Sequence, residues 1–384
     1  MQHICAAAMT ALAMILHSGA DPAQQQFWAD RLERDIEMVL ADENVAPGQR
    51  RHPVTLAGMG LARAGRAAEA IALCRKALEE KDWSAAAMMI AAEQSEADDV
   101  EGALKTCGMI QGDVQQRALA LVALRQAQRG DYDDAMKLVE RIAPRFRDSA
   151  LKRIAQAMIE GGEIETAVKA QRMVTDAEVR GDIRQFYVRR RDAPDPADPD
   201  FVERSVAEAR DRWGSHRFSD EDEQFVRLTS RAKVALHEKN GAEFRRIMRQ
   251  AVDLSDDPFA KFVLATLYDA GGERDKALRL LRGVLTTYSK KERESNVASG
   301  LFRILSSEDL TKLLARCMPA EELHRWVPKL VEAGLVDMVA GIAAGLAAQG
   351  KFTDVDRIYR ALSDPSHRVE VTAVVLLAEV DWKP

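Results

Sequence analysis

The sequence predicts an all-α protein built as an α-solenoid, a stack of antiparallel helix hairpins, and three observations predict it. A Gly-x-x-x-x-Ala segment recurs at Gly65–Ala70, Gly130–Ala135 and Gly162–Ala167, with Asp98–Ala103 filling the open slot, so that Ala70, Ala103, Ala135 and Ala167 follow one another at 33, 32 and 32 residues. On both sides of each segment apolar residues return at i, i+3, i+4 and i+7, the period of an amphipathic helix, as in Leu119, Val122 and Ala123 or Leu151, Ile154, Ala155 and Met158. No stretch alternates apolar and polar residues between hairpin-turn signals.

The elements follow in chain order. Residues 1–20 combine an apolar run, Ile4 to Leu16, with Ser18-Gly19-Ala20 and a polar DPAQQQ stretch. This pattern predicts a cleaved signal peptide and an exported or periplasmic protein. No Lys or Arg precedes the run, so the alternative is an ordered first helix in a cytoplasmic protein; an intact Met1 on the mature chain would exclude export. The run is too short to span a membrane, and no other stretch is longer. Residues 21–191 form an N-terminal array in which each Gly ends one Ala-rich helix, where a left-handed residue is cheapest without a Cβ. A second helix follows, led by acidic residues such as Asp131 or Glu163.

Residues 192–200, DAPDPADPD, hold three prolines and four aspartates and read as a stiff linker. Residues 201–384 form a C-terminal array. Ser219 with the acidic run 220–223 opens a helix there, and Asn240-Gly241 stops it. Between about 290 and 335 helical periodicity persists without the repeat signature, and Pro319 and Pro328 break it into shorter pieces. Residues 366–381 would cap the final hydrophobic face of this array.

The segments GRAAEAIALCRKAL (65–78), GDYDDAMKLVERI (130–142), GERDKALRLLRGVL (272–285) and GKFTDVDRIYRAL (350–362) resemble tetratricopeptide repeats (TPR). The resemblance covers residues 51–180, 226–289 and 336–365. The repeats are degenerate: the first-helix Trp is absent, and the period is 32 or 33 residues where the family has about 34. The resemblance implies a right-handed solenoid of helix A and helix B pairs whose A helices line a concave groove. Carried over residue by residue, the groove positions are His52, Thr55, Met59 and Arg63 in the first pair and Met88 and Glu96 in the second. Arg117, Leu124 and Gln128 follow in the third, and Lys152, Gln156 and Glu160 in the fourth. Such a mixed lining suits a peptide or a helix of a partner protein. Family members that grip chaperone C-termini use paired Asn with basic residues; this chain has only Asn44, Asn240 and Asn296, none at those positions.

Composition narrows the function classes. Of 384 residues 47% are hydrophobic, which supports a large core and excludes a disordered chain. The net charge of −6 gives no basic field for a phosphate backbone, so nucleic acid is not an expected partner. Arg189, Arg190 and Arg191 beside Phe186 and Tyr187 form one basic cluster with aromatics, but the adjoining aspartates oppose it and a solvated helix end is the simpler reading.

Four scattered cysteines, Cys5, Cys74, Cys107 and Cys317, make no disulfide framework; Cys74 and Cys107 fall at equivalent repeat positions and read as small core residues. The seven histidines never pair at i, i+4, and the Asp195, Asp198, Asp200 and 220–223 runs fit no calcium loop. Gly58-x-Gly60 and Gly341-x-x-x-Gly345 read as close helix crossings rather than a dinucleotide loop or a membrane dimer motif. With no Walker loop or nucleophile elbow either, no catalytic residue, metal or cofactor is expected. The expected function is a non-catalytic protein-binding scaffold; the alternatives are an intracellular regulatory or adaptor protein of the same fold and, less favoured, an enzyme with a site built between repeats.

Overall fold

The computed structural model describes residues 22–191, 195–213, 218–254, 257–289 and 308–378. The expected signal segment, residues 1–20, lies outside the described residues. Among those described, every regular element is an α-helix, and there are twenty of them.

The first ten are α1 (Pro22–Ala41), α2 (Pro47–Arg63), α3 (Ala67–Ala77), α4 (Glu80–Glu96), α5 (Val100–Gly108), α6 (Gly112–Arg129), α7 (Tyr132–Glu140), α8 (Pro144–Glu160), α9 (Ile164–Met173) and α10 (Ala177–Arg191). The second ten are α11 (Phe201–Trp213), α12 (Asp220–His237), α13 (Gly241–Val252), α14 (Pro258–Ala270), α15 (Arg274–Ser289), α16 (Glu308–Cys317), α17 (Ala320–Glu332), α18 (Val336–Ala347), α19 (Phe352–Ala361) and α20 (Pro365–Leu377).

The chain forms two compact units. One takes the described residues of Ser18–Ala193 together with those of Leu362–Pro384, the other those of Pro194–Ala361. In the first unit the long helices α2, α4, α6, α8 and α10 pack neighbour against neighbour, and the short α3, α5, α7 and α9 each pack on the long helix before and the long helix after. Small side chains let the long helices approach: Ala57, Ala62, Ala86, Ala91, Ala118, Ala123, Ala150 and Ala155 are all buried. The recurring alanines 70, 103, 135 and 167 are buried at 3% exposure or less. A Cβ at Gly58 would stand 2.7 Å from Cys74 Sγ, so α2 tolerates no side chain there against α3.

One terminating turn is repeated along the chain. Gly65, Gly130, Gly162, Gly272, Gly334 and Gly350 have φ between +71° and +92°, and Asp98 and Lys239 take the same conformation at +70° and +56°. After each, the next N–H donates to the carbonyl five residues back, as in Arg66 to Leu61 and Asp131 to Gln126, both at 2.8–2.9 Å. The Asn240-Gly241 stop is corrected accordingly. Asn240 accepts from the Glu243 N–H as the N-cap of α13, so the left-handed position falls one residue earlier, on Lys239.

In the second unit α12 packs on α13 and α14, α14 on α15, and α16 on α18, which also meets α17 and α19. Ser219 and Asp222 cap the start of α12 reciprocally. A Cβ at Gly341 or Gly345 would press on Thr311 or on Ala315 of α16 at 2.7 and 2.9 Å, which makes that motif a close helix crossing within the unit. Pro328 corrects an expectation: it lies inside α17 without ending it. Pro328 is exposed, so water can serve the carbonyl that its missing N–H leaves unpaired.

The last helix is a larger correction. Residues 366–381 were expected to cap the C-terminal array, yet α20 belongs to the first unit and packs on α1 and α2. Val369, Val371, Ala373, Val375 and Leu376 are buried at 0% exposure. Apolar positions on more than one side of a short helix demand more than one packing partner, and the α1–α2 pair supplies it. Gly60 marks the crossing, since a Cβ there would meet Leu32 of α1 at 2.7 Å and the Ala373 backbone of α20 at 3.3 Å.

Candidate functional site

The candidate positions lie on α2, α4, α6 and α8, the four long helices that pack side by side in the first unit. His52, Arg117, Gln128 and Glu160 are exposed; Thr55, Met59, Arg63, Met88, Glu96, Lys152 and Gln156 are half-buried. Leu124 departs from expectation. It is only 7% exposed, because α6 is flanked on both sides by α4 and α8, and neighbours at helix-packing distance cover an aliphatic side chain between them. Thr55 is engaged locally, its Oγ1 donating to the Arg51 carbonyl at 2.9 Å.

A ladder of charge crosses three of these helices. Arg63 of α2 donates through Nε and a terminal nitrogen to Glu93 Oε2 of α4, at 2.9 and 2.5 Å. The other oxygen of Glu93 faces an Arg125 guanidinium nitrogen of α6 at 3.7 Å, while Arg125 Nε stands 3.8 Å from Glu96. A further Arg125 nitrogen donates to Gln128 at 3.2 Å. Glu93 is 2% exposed. A side-chain carboxyl group so far from water needs hydrogen-bond partners to replace its hydration, and the Arg63 fork provides them. The other end of the face is tied similarly, by Arg51 with Asp82 at 3.1 Å and by Arg145 with Asp113. Lys152 pairs with Asp182 of α10 at 2.5 Å.

Glu93 and Arg125 were not among the sequence-derived positions. Their signal is present all the same: Arg63, Glu93 and Arg125 stand 30 and 32 residues apart with alternating sign, one charged residue per repeat at nearly equivalent places. Arg117, exposed on the same face, has no ion-pair or hydrogen-bond partner among the described residues.

Burial pushes the Cys74 thiol up to about 12 and the Cys107 and Cys317 thiols to about 11, so all three are protonated near neutrality and poor nucleophiles. Cys317 Sγ also donates to Asp269 at 3.2 Å. Among the described residues no group of three or more His, Cys, Asp or Glu is placed to hold a metal ion, and no helix is long and apolar enough to cross a membrane. Asp195 and Asp198 accept the backbone N–H groups of Ala197 and Asp200, which accounts for them as turn residues. A search of protein-family models finds no match to this sequence, and a search of curated proteins finds none either.

Proposed function

We propose that the protein is a non-catalytic binding scaffold whose first unit is a TPR-like solenoid of antiparallel hairpins, with the α2–α4–α6–α8 face as the concave wall that receives a peptide or a helix of a partner protein. The observation that carries this reading is the side-by-side packing of those four helices together with the cross-helix charge ladder. A face whose backbones are locked by neighbours and whose charges are held by one another presents a pre-ordered surface, which lowers the cost of ordering on binding. Among the described residues Arg117 and His52 have no ion-pair or hydrogen-bond partner, and both are exposed, so they are available to a binding partner.

The test is a double charge reversal, Arg117→Glu with Lys152→Glu. Partners recovered from the native source by pull-down and mass spectrometry are compared between the unaltered and the double variant. Loss of the specific partner is expected, with circular dichroism unchanged and melting nearly so, since Arg117 is exposed and a partly exposed ion pair such as Lys152–Asp182 contributes about 1 kcal/mol or less. A partner recovered equally well by both proteins would move the binding surface elsewhere.

A further inference from the structure

The last helix occupies a place that the repeat pattern defines. α20 stands to α1 and α2 as α2 stands to α3 and α4: it lies along α1, it meets α2 at least as broadly as α4 does, and α1 touches α2 over the shorter kind of stretch that α3 shares with α4. The two neighbours of α2 sit on nearly opposite sides of it. A Cβ at Gly58 would meet Ile90 of α4 at 3.3 Å, and one at Gly60, just over half a turn further round the helix, would meet the Ala373 backbone of α20 at 3.3 Å. The row of α2, α4, α6 and α8 is therefore extended by α20, and the first helix pair of the array is assembled from two distant parts of the chain. In sequence α20 follows α19, an element of the second unit, through residues 362–364. It is joined directly to neither of the helices it packs on.

One side chain of α20 works against its burial. Among the valines and Leu376 at 0% exposure stands Thr372, equally buried, and its hydroxyl has no hydrogen-bond partner among the described residues. Thr229, Thr266 and Thr286 of other helices donate to the carbonyl four residues back at 2.7–3.1 Å; Thr372 does not. A buried hydroxyl without a partner loses its hydration and gains nothing in exchange, so the seat is weaker than its apolar fit alone would make it. The Ser366 N–H donates to Asp364 at 2.8 Å and Arg368 Nε to the Leu362 carbonyl at 2.7 Å, bonds that hold the start of the helix to its own segment. We propose that α20 is a latch, a helix that leaves and regains its seat on α1 and α2 while the rest of the first unit stays folded. Opening costs the apolar contacts with α1 and α2. It is favoured by the entropy of releasing a long loop closure and by the return of the Thr372 hydroxyl to water. The open state uncovers Leu32 of α1 and the Gly60 edge of α2. The latch does not depend on the role proposed for the α2–α4–α6–α8 face, and its failure would leave that role untouched.

Native-state hydrogen exchange of the full chain, read by mass spectrometry at denaturant concentrations below unfolding, tests the latch. Amides of α20 should exchange at least about tenfold faster than those of α4 and α6, through an opening of local size. Their rates should also depend less on denaturant, because a single departing helix exposes little surface. Thr372→Val keeps the side chain's shape and removes the hydroxyl. It should slow the exchange of α20 about tenfold and leave α6 as it was. Gly60→Ala sets a methyl group against Leu32 and the Ala373 backbone and should quicken α20 while α8 keeps its protection. Circular dichroism of both variants should match the unaltered chain. Exchange of α20 in step with α4 and α6, at one rate and one denaturant dependence, would mean that it opens only with the whole unit and would overturn the latch. Unchanged or faster exchange of α20 in Thr372→Val would overturn it as well, since the unpaired hydroxyl would then not be what loosens the seat.

Discussion

Glu93 shows how much one buried charge depends on its partners. The carboxylate is nearly sealed from water, and its short fork to Arg63 replaces the lost hydration. Arg125 approaches it more loosely, from a side chain that keeps about a third of its surface in water. The two partners should therefore differ in energetic weight. Glu93→Gln removes a charge-assisted pair and should destabilise the first unit by about 1.5–3 kcal/mol, read by chemical denaturation. Arg125→Gln should cost about 1 kcal/mol or less. Equal losses would mean that the Arg63 fork does not dominate. The same scale explains the three buried thiols: desolvation keeps them protonated, and they serve as small packing residues.

At the scale of the element, the repeat consists of a terminator and a contact. A residue at positive φ ends one helix, and five residues later an alanine passes close to the neighbouring helix. Ala135 is fully buried on α7. Ala135→Leu should destabilise by roughly 1–3 kcal/mol through overpacking, and thermal melting reads the change. A neutral result would place the alanine away from a close contact. This element was legible because glycine at a left-handed terminator and alanine at a close crossing both follow from local sterics. Gly334 was harder to see, since Val339 stands where the motif has alanine, yet Gly334 adopts the same positive φ and Leu335 closes the same backbone bond to Leu330. Lys239 was missed because the neighbouring Asn and Gly offered a more familiar stop, while the asparagine had another task as a cap.

At the scale of the whole molecule, the chain's last helix completes its first unit. α20 lies on α1 and α2 with its valines and Leu376 fully buried, so part of the core of residues 22–191 comes from the far end of the sequence. Removing residues 365–384 should expose the α1–α2 face, beginning at Leu32 and Gly60. In hydrogen exchange, α1 and α2 should then lose protection while α14 and α15 in the second unit keep theirs. Retained protection in α1 would mean that α20 is dispensable to that core.

By itself the sequence determined the helical class and the glycines and alanines that end and tighten the helices, as at Gly65 and Ala70 or Gly130 and Ala135. Each of these rests on interactions within about one repeat, where local conformational cost and helical periodicity decide the outcome. Only the tertiary structure decided that Leu124 is covered, that Glu93 joins Arg63 to Arg125, and that α20 packs on α1 and α2. Those depend on which surfaces meet across long separations in the chain. An amphipathic pattern states that a face must be buried, but the face that buries it is chosen by fit among all the apolar surfaces present.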